Sequence, residues 1–320
     1  MKILVTGAAG FIGSHVAQAY LDQGHEVVVV DNLSTGYQHN VDKRAKFYNI
    51  DIRDPQLCEV FANEQPDVVN HHAAQISVPL SIEDPRLDAD INVLGFINIL
   101  DCCVKYKVKK LIYISSGGAI YGEAKEYPTT EEYHPQPLSV YAINKMSGEH
   151  YLQLYQHQYG LDYTVLRYSN VYGPRQVSHG EAGVVSIFIE KLLQGLIPTV
   201  YAYPDEPAGM IRDYVYVADV VRANVLALTG GHNDYFNIGT CIETTTTQLY
   251  NAIQWQLGLD VPPHRGEARK GDLRRSMLDV SKAYKVLGWS PIYTLEDGVK
   301  ETIVYFKQHK EKSKQHKEKS

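Results

Sequence analysis

The chain has 320 residues, of which 44% are hydrophobic and 21% are charged, and its formal net charge is -6 at pH 7. This composition is ordinary for a globular protein that buries a sizeable core, and it excludes a disordered or collagen-like chain. There is no basic surplus to bind nucleic acid, and no apolar run reaches the ~18 residues that span a bilayer. We expect no signal peptide, because glycines interrupt the first apolar stretch.

Apolar runs that predict strands alternate with periodic segments that predict helices through the first half of the chain. The predicted strands are Lys2–Thr6, Glu26–Val30, Ala45–Asn49, Val68–His71, Lys110–Ser115 and Tyr163–Tyr168. The predicted helices are Phe11–Asp22, Gln56–Asn63, Asp90–Tyr106 and Val140–Gln158. The alternation predicts an α/β fold, a Rossmann-like doubly wound parallel sheet with helices on both faces. Ligands then bind beyond the carboxyl ends of the strands.

The first strand leads into a glycine-rich turn, with Gly7, Gly10 and Gly13 spaced G-x-x-G-x-x-G before the first helix. Such a turn lets a pyrophosphate approach the backbone and meet the N–H groups of the helix N-terminus. Asp31 follows the second strand, where a carboxylate meets the adenosine ribose and repels a 2′-phosphate. We therefore predict NAD rather than NADP, against the alternative of an ordinary strand–turn–helix.

Two further strand ends carry residues suited to the same cofactor. Asp51 and Ile52 follow the third strand and predict contacts with the adenine amine and ring, the alternative being a surface loop. His71 and His72 are adjacent, so their side chains point to opposite sides of a strand and do not favour a metal site. The small residues that come next, Ala73 and Ala74, let a cofactor pass close by.

Tyr141 and Lys145 are the strongest chemical pair, because residues four apart on a helix share one face. A free phenol has a pKa of about 10 and is a poor base at neutral pH. The nearby ammonium and the positive nicotinamide ring of NAD⁺ both favour the phenolate, and we expect them to lower the pKa of Tyr141 by about 3. The alternative is a surface tyrosine with a lysine one turn on.

The sequence pattern changes near Tyr172: from there on, the periodic segments are shorter and are separated by glycines and prolines. We predict an NAD-binding domain over residues 1–171, to which a segment at about 210–240 returns, and a smaller C-terminal α/β lobe over 172–306 that binds substrate. Residues 307–320 repeat KQHKEKS and predict a solvated tail. The four cysteines show no metal spacing, so we expect them to be reduced, the protein to be cytoplasmic and no metal to be bound.

With these residues assembled, the chain resembles the extended short-chain dehydrogenase/reductases, and within them the UDP-glucose (UDP-galactose) 4-epimerases. The resemblance extends to about Gln308. The motifs that carry it are GAAGFIG (7–13), DNLSTG (31–36), DIRD (51–54), HHAAQ (71–75), SSGGAIYG (115–122), YAINK (141–145), RYSNVYGPRQ (167–176), RDYVYVAD (212–219) and EARKGDLRRS (267–276).

The resemblance implies NAD-dependent 4-epimerisation of a UDP-hexose through a 4-keto intermediate. Tyr141 would be the catalytic acid and base, with Lys145 beside the nicotinamide ribose. The implied cofactor contacts are Gly7, Gly10, Phe11, Ile12, Gly13, Asp31, Asn32, Ser34, Thr35, Gly36, Asp51, Ile52, His72, Ala73, Ala74, Gln75, Asn92, Ser115, Tyr141, Lys145 and Tyr168. The implied substrate contacts are Ser77, Gly117, Tyr141, Asn170, Val184, Arg212, Arg269, Asp272 and Ser276.

One position departs from the family. Gly117 stands where the family has a serine or threonine that hydrogen-bonds the sugar 4-hydroxyl, and the adjacent Ser116 is expected to point elsewhere. Three outcomes are open: Tyr141 acts directly, Ser116 or a water substitutes, or activity is weak. One lost hydrogen bond would cost about 1–3 kcal/mol, which catalysis could survive.

The resemblance also ranks the alternatives. Gly118 and Ala119 replace the acidic residues of sugar 4,6-dehydratases, so proton abstraction from C5 has no agent. The small Ser276 leaves room for an N-acetyl group on the sugar. A UDP-glucuronate 4-epimerase and a non-catalytic NAD-binding sensor stay open as other functions. The long helices Asp90–Tyr106 and Val140–Gln158 imply a homodimer, as in the family.

Overall fold

The structure, a computed structural model, describes residues 1–177, 183–269 and 271–317, with side chains up to residue 309. Its strands are β1 (Lys2–Thr6), β2 (Glu26–Val30), β3 (Lys46–Tyr48), β4 (Val68–His71), β5 (Lys110–Ser116), β6 (Asp162–Tyr168), β7 (Asn170–Tyr172), β8 (Thr199–Ala202), β9 (Ile211–Arg212), β10 (Tyr214–Tyr216), β11 (Asp234–Ile238), β12 (Thr244–Thr245) and β13 (His264–Glu267).

Its α-helices are α1 (Phe11–Asp22), α2 (Leu57–Glu64), α3 (Val78–Glu83), α4 (Pro85–Ala89), α5 (Gly95–Lys105), α6 (Gly117–Ile120), α7 (Val140–Tyr159), α8 (Val184–Leu193), α9 (Val217–Ala227), α10 (Thr246–Gln256), α11 (Ser281–Leu287) and α12 (Leu295–Lys317). A 3₁₀ turn spans Gln38–Asn40 and a π-helical turn spans Asp90–Leu94. Among the described residues, no helix combines the length and apolar character that crossing a bilayer requires.

Within the described chain, seven strands form one parallel sheet in the order β11-β6-β5-β4-β1-β2-β3. This confirms the predicted Rossmann-like doubly wound sheet. The chain reverses direction across the sheet between β1 and β4, so the turns that follow these two strands flank one crevice. A ligand is expected at this switch point.

Alternate residues of the central strands pack on opposite faces, as their period of two requires. Ile3 and Val5 of β1 join a cluster with Val16 of α1 and Val220 of α9. Leu4, between them, joins a second cluster that includes residues of α2, α5 and α7. Both faces are therefore buried, which explains why the strands are continuous apolar runs rather than alternating ones.

A smaller lobe packs beside the carboxyl end of the sheet. Its core joins α8, α10 and α12 to β7 and β10, with Phe188, Tyr250 and Val299 among its buried residues. Short two-stranded pairs, β7 with β10, β9 with β12 and β8 with β13, tie this lobe together. After β10 the chain returns through α9 to β11, the outermost strand beside β6.

The predicted helix over 90–106 differs from the observed one. The chain first makes the π-helical turn and only then the regular helix α5. Inside that turn, the Asn92 side chain accepts from the backbone N–H of Gln75 at 3.0 Å and donates to its carbonyl at 2.9 Å. These two bonds to another segment hold the wider turn, and helical periodicity alone gives no sign of them.

The prediction that all cysteines are reduced is wrong for one pair. Cys58 of α2 and Cys102 of α5 form a disulfide, while Cys103 and Cys241 are free. The two bonded residues are 44 positions apart and their Cα atoms lie 5.6 Å apart, because α2 and α5 pack side by side. That proximity is a tertiary effect, which the spacing of the cysteines could not reveal.

Candidate active site

The turn after β1 has the shape of a pyrophosphate cradle. Gly7 has a φ of +68°, and a Cβ added there would lie 2.6 Å from the backbone nitrogen of Ala73. A Cβ at Gly13 would lie 2.5 Å from the Gly7 carbonyl oxygen, whereas one at Gly10 would meet that oxygen only at 3.2 Å. Gly7 and Gly13 therefore close the turn, and Gly10 leaves its outer side open.

Helix α1 begins directly at this turn. Gly10 is its N-cap and no side chain caps it, and the first turn carries no acidic residue. The backbone N–H groups of Phe11, Ile12 and Gly13 open the helix, where the dipole favours an anion. This arrangement fits the diphosphate of a dinucleotide.

Asp31 lies at the rim of the same turn. Its carboxylate accepts backbone N–H bonds from Ala9 at 2.9 Å and Leu33 at 2.8 Å, and the residue is only 8% exposed. These bonds hold the acid beside the glycine-rich turn, and each oxygen keeps a lone pair for a ribose hydroxyl. Gly36 packs so close to Ala9 that a Cβ would lie 2.7 Å from its carbonyl carbon, while Ser34 and Thr35 are exposed.

The predicted adenine residues have protein partners of their own. Arg53 binds the Asp51 carboxylate through Nε at 2.9 Å and Nη2 at 2.8 Å, and Asn32 donates to it at 2.8 Å. Hydrogen bonds from Arg53 lower the pKa of Asp51. Ile52 is 5% exposed and packs on Gly95, so its side chain belongs largely to the core.

The loop after β4 packs on the glycine-rich turn. Thr6 Oγ1 hydrogen-bonds His71 Nδ1 at 2.8 Å and accepts from the Ala73 N–H at 3.1 Å. Ala74 follows on the partly buried stretch of the loop. His71 is buried and stacks on Phe96 with ring centroids 5.0 Å apart.

Both histidines of this loop are held neutral. Burial lowers the pKa of His71 well below its ordinary value and that of His72 to about 3, and the charge of Lys145 acts in the same direction. In the described part of the chain, no three His, Cys, Asp or Glu side chains group as metal ligands.

Gln75 and Asn92 bond one another rather than standing free for a cofactor. Both also donate to the buried carboxylate of Asp88, Gln75 at 2.6 Å and Asn92 at 3.1 Å. Ser77, predicted on the substrate side, caps α3 by accepting from the Leu80 N–H at 3.3 Å. The amide side chains of Gln75 and Asn92 thus build the wall of the site.

Helix α7 presents Tyr141 and Lys145 one turn apart, beneath the ends of β4 and β5. Lys145 is 4% exposed, and its ammonium donates to the Ile114 carbonyl at 2.9 Å. That nitrogen lies 6.0 Å from the centre of the Tyr141 ring and 5.2 Å from that of Tyr113. The structure therefore brings the predicted pair together on one face of the helix.

The pKa values of the pair differ from the sequence expectation. Burial raises the pKa of Tyr141 to about 12, and a hydrogen bond with the Ser116 side chain opposes this rise. Burial lowers the pKa of Lys145 to about 8, against the opposing charges of Asp88 and Glu149. The expected lowering at Tyr141 is wrong for the protein's own groups, because desolvation of the phenolate outweighs every stabilising contact.

Of the two neighbouring residues Ser116 and Gly117, it is Ser116 that faces Tyr141. Ser116 acts on the pKa of Tyr141 as a hydrogen-bond partner, so the structure is compatible with the open outcome in which Ser116 substitutes. A Cβ at Gly117 would instead lie 2.6 Å from Cδ1 of Leu278, which is 1% exposed, and 3.2 Å from the Arg167 carbonyl oxygen. Position 117 thus faces the core and position 116 faces Tyr141.

A buried ion pair supports helix α7, and the sequence analysis missed it. Glu149, one turn after Lys145, accepts from Arg167 at 3.0 Å and 2.5 Å and from the Ser115 hydroxyl at 2.6 Å. The hydroxyl of Ser115 is therefore committed to the protein interior. The i+4 spacing from Lys145 to Glu149 was the signal that could have found this residue.

Tyr168 is likewise built into the interior. It is 4% exposed, and its hydroxyl accepts from Asn224 of α9 at 2.6 Å. Its side chain anchors the end of β6 rather than lining an open crevice.

The predicted substrate residues gather on the lobe side of this crevice. The Asn170 side-chain oxygen would lie 3.4 Å from a Cβ at Gly118, so it faces the turn that carries Ser116. The Ser276 N–H donates to the Ile211 carbonyl at 3.1 Å, which sets Ser276 beside Arg212 at β9.

Two further predicted substrate residues, Arg269 and Asp272, lie in the loop before Ser276. The Asp272 carboxylate accepts from the Arg269 N–H at 3.2 Å, and the Arg269 guanidinium lies 5.0 Å from the Tyr201 ring centre. Val184 opens α8, and Gly183 before it is the N-cap of that helix. Arginines, an amide and a carboxylate on one edge can bind phosphates and a ribose.

Comparison with known proteins decides the family. A family described as "NAD dependent epimerase/dehydratase family" matches residues 3–239, well over half of the chain. The chain belongs to this family. The family confirms the extended short-chain dehydrogenase/reductase resemblance and the NAD dependence predicted from the glycine-rich turn.

Individual relatives match this chain over nearly its whole length. A UDP-glucose 4-epimerase of Mycolicibacterium smegmatis is 42% identical over 313 residues, 96% of this chain and 99% of that protein. The crystal structure of UDP-glucose 4-epimerase with UDP-glucose from Thermotoga maritima has 48% identity and a TM-score of 0.94, covering 97% of this chain and 99% of that one. The Thermus thermophilus UDP-glucose 4-epimerase complex with NAD has 45% identity and a TM-score of 0.91, covering 96% and 99%.

Proposed function

We propose that this protein is an NAD-dependent UDP-hexose 4-epimerase that interconverts UDP-glucose and UDP-galactose. The observation that carries the proposal is the grouping of Tyr141, Lys145 and Ser116 at the carboxyl edge of β5, next to the cradle formed by Gly7–Gly13. The similarity to UDP-glucose 4-epimerases over nearly the full length supports the same assignment.

Tyr141 is the group that removes and returns the proton of the sugar 4-hydroxyl. Ser116 hydrogen-bonds the tyrosine and orients it, and Lys145 places a positive charge on the same face of the helix. NAD, held at the glycine-rich turn Gly7–Gly13, would supply the hydride acceptor and donor for sugar C4 and a positive charge that favours the phenolate. Because the protein alone keeps the phenol protonated, Tyr141 becomes a base only in the loaded site.

The residues proposed to contact NAD lie just after the carboxyl ends of the first four strands. Gly10 and the first N–H groups of α1 would hold the diphosphate, and Asp31 the adenosine ribose. Asp51 and the backbone of the loop after β4 would line the remaining nucleotide.

The UDP portion is the anchor in this proposal, because the 4-keto sugar has to turn over between oxidation and reduction. Asn170, Arg212 and Arg269 would bind the diphosphate and Asp272 the uridine ribose, with the smaller lobe (172–306) as the substrate domain. Firm phosphate contacts combined with a loose hexose pocket permit rotation without release.

The substrate range is proposed to include UDP-GlcNAc and UDP-GalNAc. Ser276 is a small residue beside Arg212, where a bulky side chain would restrict the space at sugar C2. Comparing turnover of the two sugar pairs tests this. Good turnover of UDP-galactose with no N-acetyl turnover contradicts it.

We also propose a homodimer formed through the π-helical turn, α5 and α7, working in the cytoplasm, where nicotinamide cofactors and nucleotide sugars are supplied. Leu94, Ile143 and Leu154 are 59%, 48% and 47% exposed, and the last two are three helical turns apart on one face of α7. Sedimentation should give a dimer that Ile143→Asp dissociates. A wild-type monomer contradicts the proposal.

The deciding experiment is incubation with a panel of UDP-sugars and product analysis by NMR. Conversion of UDP-glucose and UDP-galactose into one another, with no net change in NAD, is the expected result. Conversion of UDP-glucuronate alone would favour the hexuronate epimerase. NAD binding without any turnover would favour the non-catalytic sensor.

A further inference from the structure

A fully buried carboxylate lies beneath the proposed catalytic pair and belongs to none of the roles described above. Asp88 of α4 is 0% exposed. It receives hydrogen bonds from Gln75 at 2.6 Å, from Asn92 at 3.1 Å and from Asn144 at 2.7 Å. These donors come from the loop after β4, the π-helical turn and the catalytic helix, so Asp88 joins the three elements around the site.

The orientations of the donors show that Asp88 is an anion. The Ser77 N–H donates to Oε1 of Gln75, which leaves Nε2 to face Asp88. The Gln75 N–H donates to Oδ1 of Asn92, which turns Nδ2 toward Asp88. A carboxyl group that meets N–H donors on both of its oxygens has no acceptor for a proton of its own.

The charge of Asp88 is not neutralised by these neighbours. All three donors are uncharged amides, whereas Glu149, the other acid near Lys145, forms a buried ion pair with Arg167. The negative charge of Asp88 raises the pKa of both Lys145 and Tyr141, and at Lys145 its effect is larger than that of Glu149.

We propose that Asp88 is a positioning residue that keeps Lys145 protonated and sets the pH range in which Tyr141 exchanges its proton. This deepens the proposed function and rests on it. The groups that act on Lys145 from the surrounding elements are His71, His72, Asp88, Tyr113, Tyr141 and Glu149. Burial keeps both histidines and both tyrosines neutral, so the two carboxylates supply the negative charge.

The test is the pH profile of kcat/KM for UDP-galactose in two variants that remove the charge of Asp88. Asp88→Asn keeps the size of the side chain, and Asp88→Ser shortens it. Because the charge raises both pKa values, its loss should move both limbs of the profile to lower pH, by about one unit, the scale of a single nearby charge in a medium of effective dielectric ~20. A purely structural role would lower the rate at every pH without moving the limbs.

The matched control is Asp219→Asn, which removes another fully buried carboxylate that accepts backbone N–H bonds from Ile292 and Tyr293. This control should lose stability and keep the wild-type limbs. Limbs that stay in place in both Asp88 variants, or that shift equally in the control, overturn the proposal. So does failure of both Asp88 variants to fold when the control folds, since Asp88 would then be a structural residue.

A second readout separates this proposal from the proposed function. The tyrosinate absorbance of each protein, minus that of its Tyr141→Phe counterpart, reports the titration of Tyr141 without turnover. Its midpoint should fall in the Asp88 variants, and an unchanged midpoint contradicts the proposal. A wild-type protein without epimerase activity would sink the proposed function and leave this titration valid.

Discussion

Burial decides the protonation state in which the two proposed catalytic residues, Tyr141 and Lys145, rest. Tyr141 has a pKa of about 12 and Lys145 one of about 8, so the two groups are shifted toward their neutral forms by the same desolvation. The reactivity of Tyr141 therefore depends on the other groups that contact Tyr141 and Lys145, and not only on the proximity of these two residues. The contact that the structure adds is with Ser116, next to the position, Gly117, at which the sequence indicated a lost hydroxyl.

Replacing Ser116 with alanine should lower kcat by about 10- to 100-fold, because one hydrogen bond to the reacting group is worth about 1–3 kcal/mol. Steady-state kinetics check this, with KM expected to change little. Ser147→Ala is the control, since that hydroxyl donates back to Ile143 within α7. A Ser116→Ala enzyme as fast as the control would contradict the assigned contact.

Gly117 and Leu278 should behave as a coupled pair. Gly117→Ser overpacks a core position and should lower the free energy of unfolding by about 1–3 kcal/mol. Leu278→Ala opens a cavity, and in the double variant part of the combined loss should be recovered. Urea unfolding of the four proteins measures the coupling, and strictly additive losses would show that the two residues do not compete for space.

At the scale of elements, the strands and helices that build the crevice follow from local sequence patterns. The glycine spacing, the acid after β2 and the i+4 pair on α7 predicted where these elements lie and what they carry. The π-helical turn was not predictable, because its cause is the bond between Asn92 and the backbone of Gln75. Asp88 and Leu278 were missed for the same reason, since their partners lie on other elements.

The glycine-rich turn allows a matched pair of substitutions. Gly13→Ala should destabilise the fold, because its Cβ would lie 2.5 Å from the Gly7 carbonyl oxygen. Gly10→Ala should cost less stability than Gly13→Ala, because its Cβ would meet the Gly7 carbonyl oxygen at 3.2 Å instead of 2.5 Å, and it should weaken NAD binding. Thermal unfolding and calorimetric NAD titration give the two readouts. Equal effects of both variants on both readouts would contradict the division of roles.

For the whole molecule, the contacts that join distant parts of the chain are the ones that sequence reasoning could not supply. The disulfide between α2 and α5 and the ion pair between Glu149 and Arg167 both depend on how finished elements pack. His15 is a similar case. It lies on α1, hydrogen-bonds the Pro174 carbonyl at 2.9 Å, and burial lowers its pKa to about 4.

Stability should therefore depend on pH below neutrality. The unfolded chain binds a proton at His15 near pH 6.5, whereas the folded chain binds it only near pH 4. The contribution of His15 to the free energy of unfolding is therefore fully present above pH 6.5 and is lost as the pH falls toward 4. His15 alone should account for up to about 3 kcal/mol. Urea unfolding between pH 7.5 and 4.5 measures it, and His15→Gln should flatten the profile. An identical slope in that variant would contradict the assignment.

The most direct test of the whole account is Tyr141→Phe, assayed for turnover of UDP-galactose and for binding of NAD and UDP. Loss of the hydroxyl removes the proposed acid and base and leaves the cradle at Gly7–Gly13 and the arginines untouched. The account predicts that NAD and UDP bind as in the wild type while interconversion of the sugars falls by several orders of magnitude. Full activity in this variant would contradict it.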